Sequence, residues 1–227
     1  GFATRGSAEA ASEWFDRARD YYVEWASKWP GSPTAEIAMS FRAETFLMQE
    51  RWQEAIDAFE QHDRDYGSDG NRAGIWLTLA DTYGKRLGRE SEAREYYRRV
   101  LERYPDDIAS ATASLELANR DIKAGRHGSA RAMLKDVMER FPHEEAVRTT
   151  AMQYLAMSYE ESGMWEDAVA QLNALAREHP TTLYGLMALQ HVAEGTPFTL
   201  RYYAELMIAQ SDNTATDHLI DRLGREA

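Results

Sequence analysis

The chain has 227 residues, enough for one sizeable domain or two small ones, and its 44% hydrophobic and 11% aromatic content argues against disorder. Its 38 Asp+Glu against 26 Lys+Arg give a net charge of -12, which removes the positive surface a nucleic-acid partner needs. There is no cysteine, hence no disulfide, thiolate catalysis or Cys-type zinc, and the composition suits a reducing cytosol and an unstapled envelope protein equally well.

The start, Gly1-Phe2-Ala3-Thr4-Arg5-Gly6-Ser7, has no signal-peptide apolar region and reads as a mature terminus or a cloning junction. The longest apolar stretches, such as residues 183–188, fall far short of the roughly 20 residues a membrane-spanning helix requires. From there a period takes over. Ala18, Ala55, Ala93, Ala130 and Ala168 lie 37, 38, 37 and 38 residues apart, and Pro30, Gly67, Pro105, Pro142 and Pro180 each follow by twelve. A fixed period of this size marks stacked copies of one supersecondary unit.

The first unit shows only its second helix, carrying Phe15, Ala18, Tyr22 and Trp25 before Pro30. In the second, Met39, Ala43, Phe46 and Leu47 have helical spacing; Gln49-Glu50-Arg51 turn the chain, and Trp52, Ala55, Ile56 and Phe59 form the next stripe. The third has Trp76, Leu79, Ala80 and Tyr83, then a turn from Lys85 to Arg89 with one extra residue, then Ala93, Tyr97 and Val100. The fourth supplies Leu117, Ala118, Gly125, Ala130, Leu134, Val137 and Pro142. The fifth repeats the second: Met152, Leu155, Ala156 and Tyr159, the turn Glu161-Ser162-Gly163, then Trp165, Ala168, Val169 and Leu172. Gly163 stands where a helix end favours a left-handed residue. Small residues at Ala43, Ala80, Ala118 and Ala156, answered by the period alanines, let paired helices approach closely.

These residues resemble the tetratricopeptide repeat (TPR) pattern, in which helix A carries a bulky residue, a Leu, a small residue and an aromatic, and helix B an Ala, an aromatic and a closing Pro. The resemblance covers residues 9–193. It departs in its period, longer than the usual 34 residues, and in Glu90 and His127, where helix B ordinarily begins with an aromatic. Longer inter-repeat segments, as in Pro30-Gly31-Ser32-Pro33 and Pro180-Thr181-Thr182-Leu183-Tyr184, are similar to those of TPR proteins of bacterial envelopes, including outer-membrane assembly lipoproteins. The resemblance implies an all-α, right-handed superhelical TPR solenoid of about five helix pairs with a C-terminal helical hairpin. Its solenoid would occupy residues 1–194, with repeats near 9–35, 36–72, 73–110, 111–148 and 149–182 and a partial one at 183–194.

In that family helix A lines the binding face. Carried over, its exposed positions are Ser40, Glu44 and Met48; Leu77, Asp81 and Lys85; Leu115, Asn119 and Lys123; and Gln153, Met157 and Glu161. Asn119 and Lys123 lie four apart, suited to a carboxylate or a backbone carbonyl. The ordinary reading of any one such position is a solvated helix surface. The Asn and Lys cluster with which chaperone-binding TPRs grip a C-terminal carboxylate is not reproduced, which favours a helix or extended segment as the ligand. The implied partner is thus a protein or peptide, with self-association through an uncapped solenoid end as a further expectation.

Residues 195–227 change character. They read as helix, Ser211-Asp212-Asn213, helix, and resemble the Ser-Asp-Asn segment of class A β-lactamases and related penicillin-recognising serine hydrolases. In that family the Ser assists proton transfer and the Asn holds substrate, but both roles need a Ser-x-x-Lys nucleophile. No serine here has Lys three residues on, and no Lys-Thr-Gly occurs. The tail by itself carries no covalent step. It reads as a sixth helix pair, since Ala204 follows Ala168 by 36 residues, as a fused hydrolase fragment, or as part of a longer parent.

Other chemistry is thin. His143-Glu144-Glu145 begins like a zinc-protease HExxH motif, but Val147 replaces the second histidine, and His62, His127, His179, His191 and His218 have no ligand spacing. Gly67-Ser68-Asp69-Gly70 lacks the Gly-Lys-Ser/Thr of a phosphate loop, and Asp63, Asp65 and Asp69 lack the later ligand of a calcium loop. The expectation is a non-catalytic scaffold without metal or cofactor, in a bacterial periplasm or cell envelope. The alternative is a TPR module attached to a β-lactamase-like hydrolase.

Overall fold

The computed structural model describes residues 2–67 and 69–179. These are helical apart from short turns, and no strand occurs among them. The chain forms two compact units, Gly1–Ala113 and a second beginning at Ser114, with the division falling inside one helix.

In the first unit, α1 (Phe2–Lys28) packs on α2 (Pro33–Met48), and α2 on α3 (Trp52–Tyr66). α4 (Asp69–Asp81) runs on through a π-helical turn, Thr82–Arg86, and packs on α5 (Glu90–Arg103). α2 starts sharply because Ser32 Oγ accepts the Ala35 N–H at 3.1 Å and Pro33 occupies the first helical position, where its missing donor costs nothing. Ala43 against Ala55, and Ala80 against Ala93, supply fully buried small residues to the paired helices α2/α3 and α4/α5. Around them Ile56, Phe59, Leu79, Tyr97 and Val100 are buried. Each aliphatic or Phe side chain among these contributes about 1.5–3 kcal/mol through removal from water.

α1 corrects the reading of the first unit. The helix that carries Phe15, Ala18, Tyr22 and Trp25 is 27 residues long and begins at Phe2. Ala18, the first member of the alanine period, is only half-buried, whereas Arg19 and Ala26 are buried. Among the described residues α1 has no helix-A partner of its own, so its buried face is the one turned to α2. The Arg19 guanidinium donates to Thr45 Oγ1 at 3.1 Å and Gln49 Oε1 at 2.6 Å, pairs with Asp16, and lies 4.5 Å from the centre of the Phe46 ring. A buried arginine held by four partners replaces apolar packing in this hairpin.

The third unit's extra residue is also placed differently. It enters helix A as the π turn, so the helix reaches Arg86 and only Leu87, Gly88 and Arg89 make the turn. Elsewhere the turn closes with a bond five residues back: Arg51 N–H to Phe46 O at 2.9 Å, Arg126 to Asp121 at 2.8 Å and Met164 to Tyr159 at 2.8 Å. In the third unit the same closure spans six, Arg89 N–H to Tyr83 O at 2.8 Å. The π turn takes up the insertion and leaves both helix faces in register.

The second unit contains the C-terminal part of α6 (Ile108–Lys123) with α7 (His127–Arg140), α8 (Glu145–Glu161) and α9 (Trp165–Glu178). Its core is Leu117, Ala118 and Ile122; Ala130, Leu134 and Val137; Met152, Leu155 and Ala156; and Ala168, Leu172, Leu175 and Ala176. Arg131 fastens α7 to α8, donating to Ser158 O and Oγ, both at 3.3 Å, and covering the Tyr159 ring. Arg148 meets Glu178 at 2.7 Å between α8 and α9. Trp165 and Val169, expected in the apolar stripe of α9, are instead 48% and 42% exposed. α9 buries the face of Ala168, Leu172 and Ala176 against α8, which leaves 165 and 169 at its edge.

Each of the four described A-to-B turns passes through one left-handed residue: Glu50 at φ 57°, Gly88 at 66°, Gly125 at 73° and Gly163 at 73°. The expectation for Gly163 holds, and Glu50 carries a side chain where the other three turns have none.

Candidate partner-binding face

Helix A of each repeat is α2, α4, α6 or α8. The twelve carried-over positions sort by depth along these helices. Ser40 and Gln153 are buried and Leu77 and Leu115 half-buried; Glu44, Asp81, Asn119 and Met157 are half-buried; Met48, Lys85, Lys123 and Glu161 are exposed. Steps of four residues keep each trio on one side of its helix. The N-terminal member is sunk in the first and last trios and half-buried in the middle two, and the C-terminal member stands clear. Side chains at the second and third levels are therefore the ones accessible to a partner.

In the first unit Asp81 is already engaged. Its carboxylate accepts the Tyr97 hydroxyl from α5 and pairs with Lys85 at 3.1 Å. Asp81 thus ties α4 to α5 as well as lining the face, while Lys85 pairs with it along the same helix. Glu44, by contrast, has no cation or hydrogen-bond donor within reach among the described residues, and burial alone pushes its carboxyl above the ordinary carboxylate range. Met48 beside it is 70% exposed.

In the second unit Asn119 and Lys123 share a side of α6, and neither has an ion pair among the described residues. Gln153 on α8 buries its Nε2 with no hydrogen-bond partner among the described residues, which places an unsatisfied amide donor inside the helical layer rather than on its face. Met157, one turn on, is half-buried. This unit's accessible positions offer one amide, one cation and one thioether, a set that suits backbone carbonyls and apolar side chains of a bound segment.

Several working residues escape sequence inspection. Asp121 stands in the register of Phe46, Tyr83 and Tyr159, buried at 4%, and binds Arg126 Nη2 at 2.7 Å and Ser129 Oγ at 2.8 Å. Where two of the other turns lay an arginine over an aromatic ring, Arg51 on Phe46 at 4.9 Å and Arg89 on Tyr83 at 4.8 Å, this one forms an ion pair. An acid at an aromatic position followed five residues later by Arg was the available signal. Glu60 of α3 accepts Tyr83 at 2.8 Å and Tyr96 at 3.0 Å, and those two rings stack at 5.7 Å. Burial, then the Glu60 bond, pushes the Tyr83 hydroxyl up to about 12 and raises Tyr96 further.

His143-Glu144-Glu145 lies at the start of α8, where Glu145 faces His179 Nδ1 at 3.3 Å. Among the described residues no three His, Asp or Glu side chains converge as metal ligands, and no helix is long and apolar enough to cross a membrane. Ser211, Asp212 and Asn213, with the expected hairpin of residues 195–227 and the partial repeat at 183–194, lie outside the described residues.

Comparison with known proteins agrees with this geometry. Three family models described as tetratricopeptide repeat match residues 3–70, 71–143 and 121–190. A fourth, described as a β-lactamase enzyme family, matches residues 168–227 and so overlaps the last TPR match. Among curated proteins no relative matches. Of the solved structures, a TPR protein from Parabacteroides merdae ATCC 43184 aligns at TM-score 0.61 and 16% identity, over 100% of this chain and 81% of that one. YrrB, described as a TPR protein with an unusual peptide-binding site, aligns at 0.56 and 19%, over 81% and 88%. MamA aligns at 0.56 and 16%, over 77% and 94%. At such identities these neighbours speak to the fold alone, which is a helix-hairpin solenoid of the kind that serves as a protein-interaction scaffold. With family models running from residue 3 to residue 190, the chain belongs to the tetratricopeptide repeat family.

Proposed function

We propose that the chain is a non-catalytic scaffold that holds an extended segment or helix of a partner protein on its helix-A faces, within an assembly of a bacterial periplasm or cell envelope. The observation that carries the reading is the second-unit face. There Asn119 and Lys123 on α6 offer an amide and a cation, and half-buried Met157 on α8 a thioether, none of them in an ion pair among the described residues. YrrB, a TPR protein with an unusual peptide-binding site, supports this class of ligand. The envelope assignment rests on the long inter-repeat segments.

A photo-cross-linking residue at Met157 or Lys123, in cells of the native organism, tests it. The expected result is a discrete adduct from both sites and none from Lys135, an exposed residue of helix B. Adducts only from Lys135, or from all three alike, would refute it.

The match over residues 168–227 favours a second reading, a TPR module joined to a β-lactamase-like hydrolase, with solenoid and tail meeting near residue 194. A fluorescent β-lactam applied to the full-length parent separates the two. Covalent labelling supports the joined hydrolase, and its absence with active β-lactamase as control supports the scaffold alone.

A further inference from the structure

Ile37, Phe41, Glu44 and Met48 fall at steps of four, three and four residues along α2, a spacing that gathers them into one stripe. Three of the four are apolar yet 52%, 47% and 70% exposed, which makes α2 the helix with the most uncovered apolar surface among the described helix-A segments. Ala35, Ala38 and Ala43 are buried on other sides of α2, which packs on both α1 and α3. From α1, Tyr22 approaches Phe41 with ring centres 6.0 Å apart and extends the apolar floor.

Glu44 sits within this stripe, between Phe41 and Met48. Three other half-buried or buried carboxylates are answered by a cation: Asp63 by Arg72 at 2.8 Å, Glu116 by Arg120 at 2.7 Å and Asp121 by Arg126 at 2.7 Å. Glu44 has no such partner, and its partial burial disfavours the charged form without any compensating cation. A partner that brings a cation there gains an ion pair in partly desolvated surroundings and covers apolar surface at the same time. A second copy of this chain is a poor fit, because each copy carries a net charge of -12.

We infer that the α2 stripe docks a cationic amphipathic segment of a partner protein, which sets an arginine or lysine on Glu44 and apolar side chains on Ile37, Phe41 and Met48. This rests on the helix-A reading above and names the chemistry of the ligand for the first unit.

Three labelled 16-residue peptides with Leu at helical spacing, and with Lys, Gln or Glu at every other position, provide the probe. They are titrated against the full chain by fluorescence polarisation at about 0.1 M salt. The Lys peptide should bind more tightly than the Gln peptide. Glu44→Gln should weaken the Lys peptide about fivefold and leave the Gln peptide unchanged, the scale of a partly exposed ion pair. Glu139→Gln removes the same charge from an exposed site on α7 and should change neither. Phe41→Ser should weaken both, with its helix content checked by circular dichroism.

Equal effects of Glu44→Gln and Glu139→Gln would overturn the inference by showing attraction to net charge alone. Binding that is insensitive to Glu44→Gln and Phe41→Ser but lost with Leu77→Asp or Leu115→Asp would overturn the α2 site while keeping the helix-A reading. Binding insensitive to all four would overturn both. A concentration-dependent dimer abolished by Phe41→Ser, seen by sedimentation, would overturn it in favour of a second copy.

Discussion

The four A-to-B turns contain a comparison set by the chain itself. Gly88, Gly125 and Gly163 occupy the left-handed region, and a Cβ built on any of them meets nothing within 4 Å. Replacement by alanine therefore costs only the backbone conformation, about 1–2 kcal/mol for an L-residue in this region. The lower entropy of the unfolded alanine chain offsets about 0.4–1 kcal/mol of that. Gly163→Ala should then destabilise by about 0.5–1 kcal/mol. Glu50, at φ 57° and exposed, already bears this cost. Glu50→Gly should stabilise by about 0.5–1 kcal/mol, while Glu50→Ala, which keeps the Cβ, should change little. Urea midpoints at fixed slope read the three variants, and the corresponding thermal shifts are a few degrees at most. Stabilisation by Glu50→Ala equal to that by Glu50→Gly would place the effect in the glutamate side chain, and a loss on Glu50→Gly would refute the turn geometry.

Ala93 is wholly buried where α5 meets α4, so Ala93→Leu should overpack that contact by about 1–3 kcal/mol; an unchanged melting midpoint would count against the helix register. Tyr83, held neutral up to about 12, makes a contribution to stability that is complete below the unfolded tyrosine value near 10 and is lost as pH rises through 12. Absorbance near 295 nm should show two late-titrating tyrosines, Tyr83 and Tyr96, of which Tyr83→Phe removes one, whereas ionisation of every tyrosine near pH 10 would contradict the Glu60 cluster. Asp121→Ala should cost about 1–3 kcal/mol, since it removes the buried acceptor of the Arg126 and Ser129 hydrogen bonds while the half-exposed Arg126 turns to water; a loss under about 0.5 kcal/mol in equilibrium unfolding would show the pair to be dispensable.

The repeat was legible because its spacing reports backbone geometry. Ala55, Ala93 and Ala130 are wholly buried and Ala168 nearly so, and Gly163 is left-handed as its place in the turn requires. Ala18 breaks the pattern for a reason that periodicity does not encode: what a helix buries depends on which helices lie beside it. The same holds for Trp165 and Val169, apolar at the right spacing yet exposed. Spacing located the third unit's extra residue to within a few positions but could not choose between a longer loop and a π turn. Of the candidate face, helix positions were readable and depth was not. Ser40 and Gln153 look like surface polar residues in sequence and are buried, and Asp81 reads as a free carboxylate while serving Tyr97 and Lys85. Arg19 and Asp121 were missed because a buried charge shows itself only with its partners in place.

Amide hydrogen exchange on the full chain, free and bound to the partner captured by cross-linking, tests the scaffold assignment most directly. The account predicts added protection in peptides of α2, α4, α6 and α8, with α3, α5, α7 and α9 unchanged. Protection confined to the helix-B segments would contradict it.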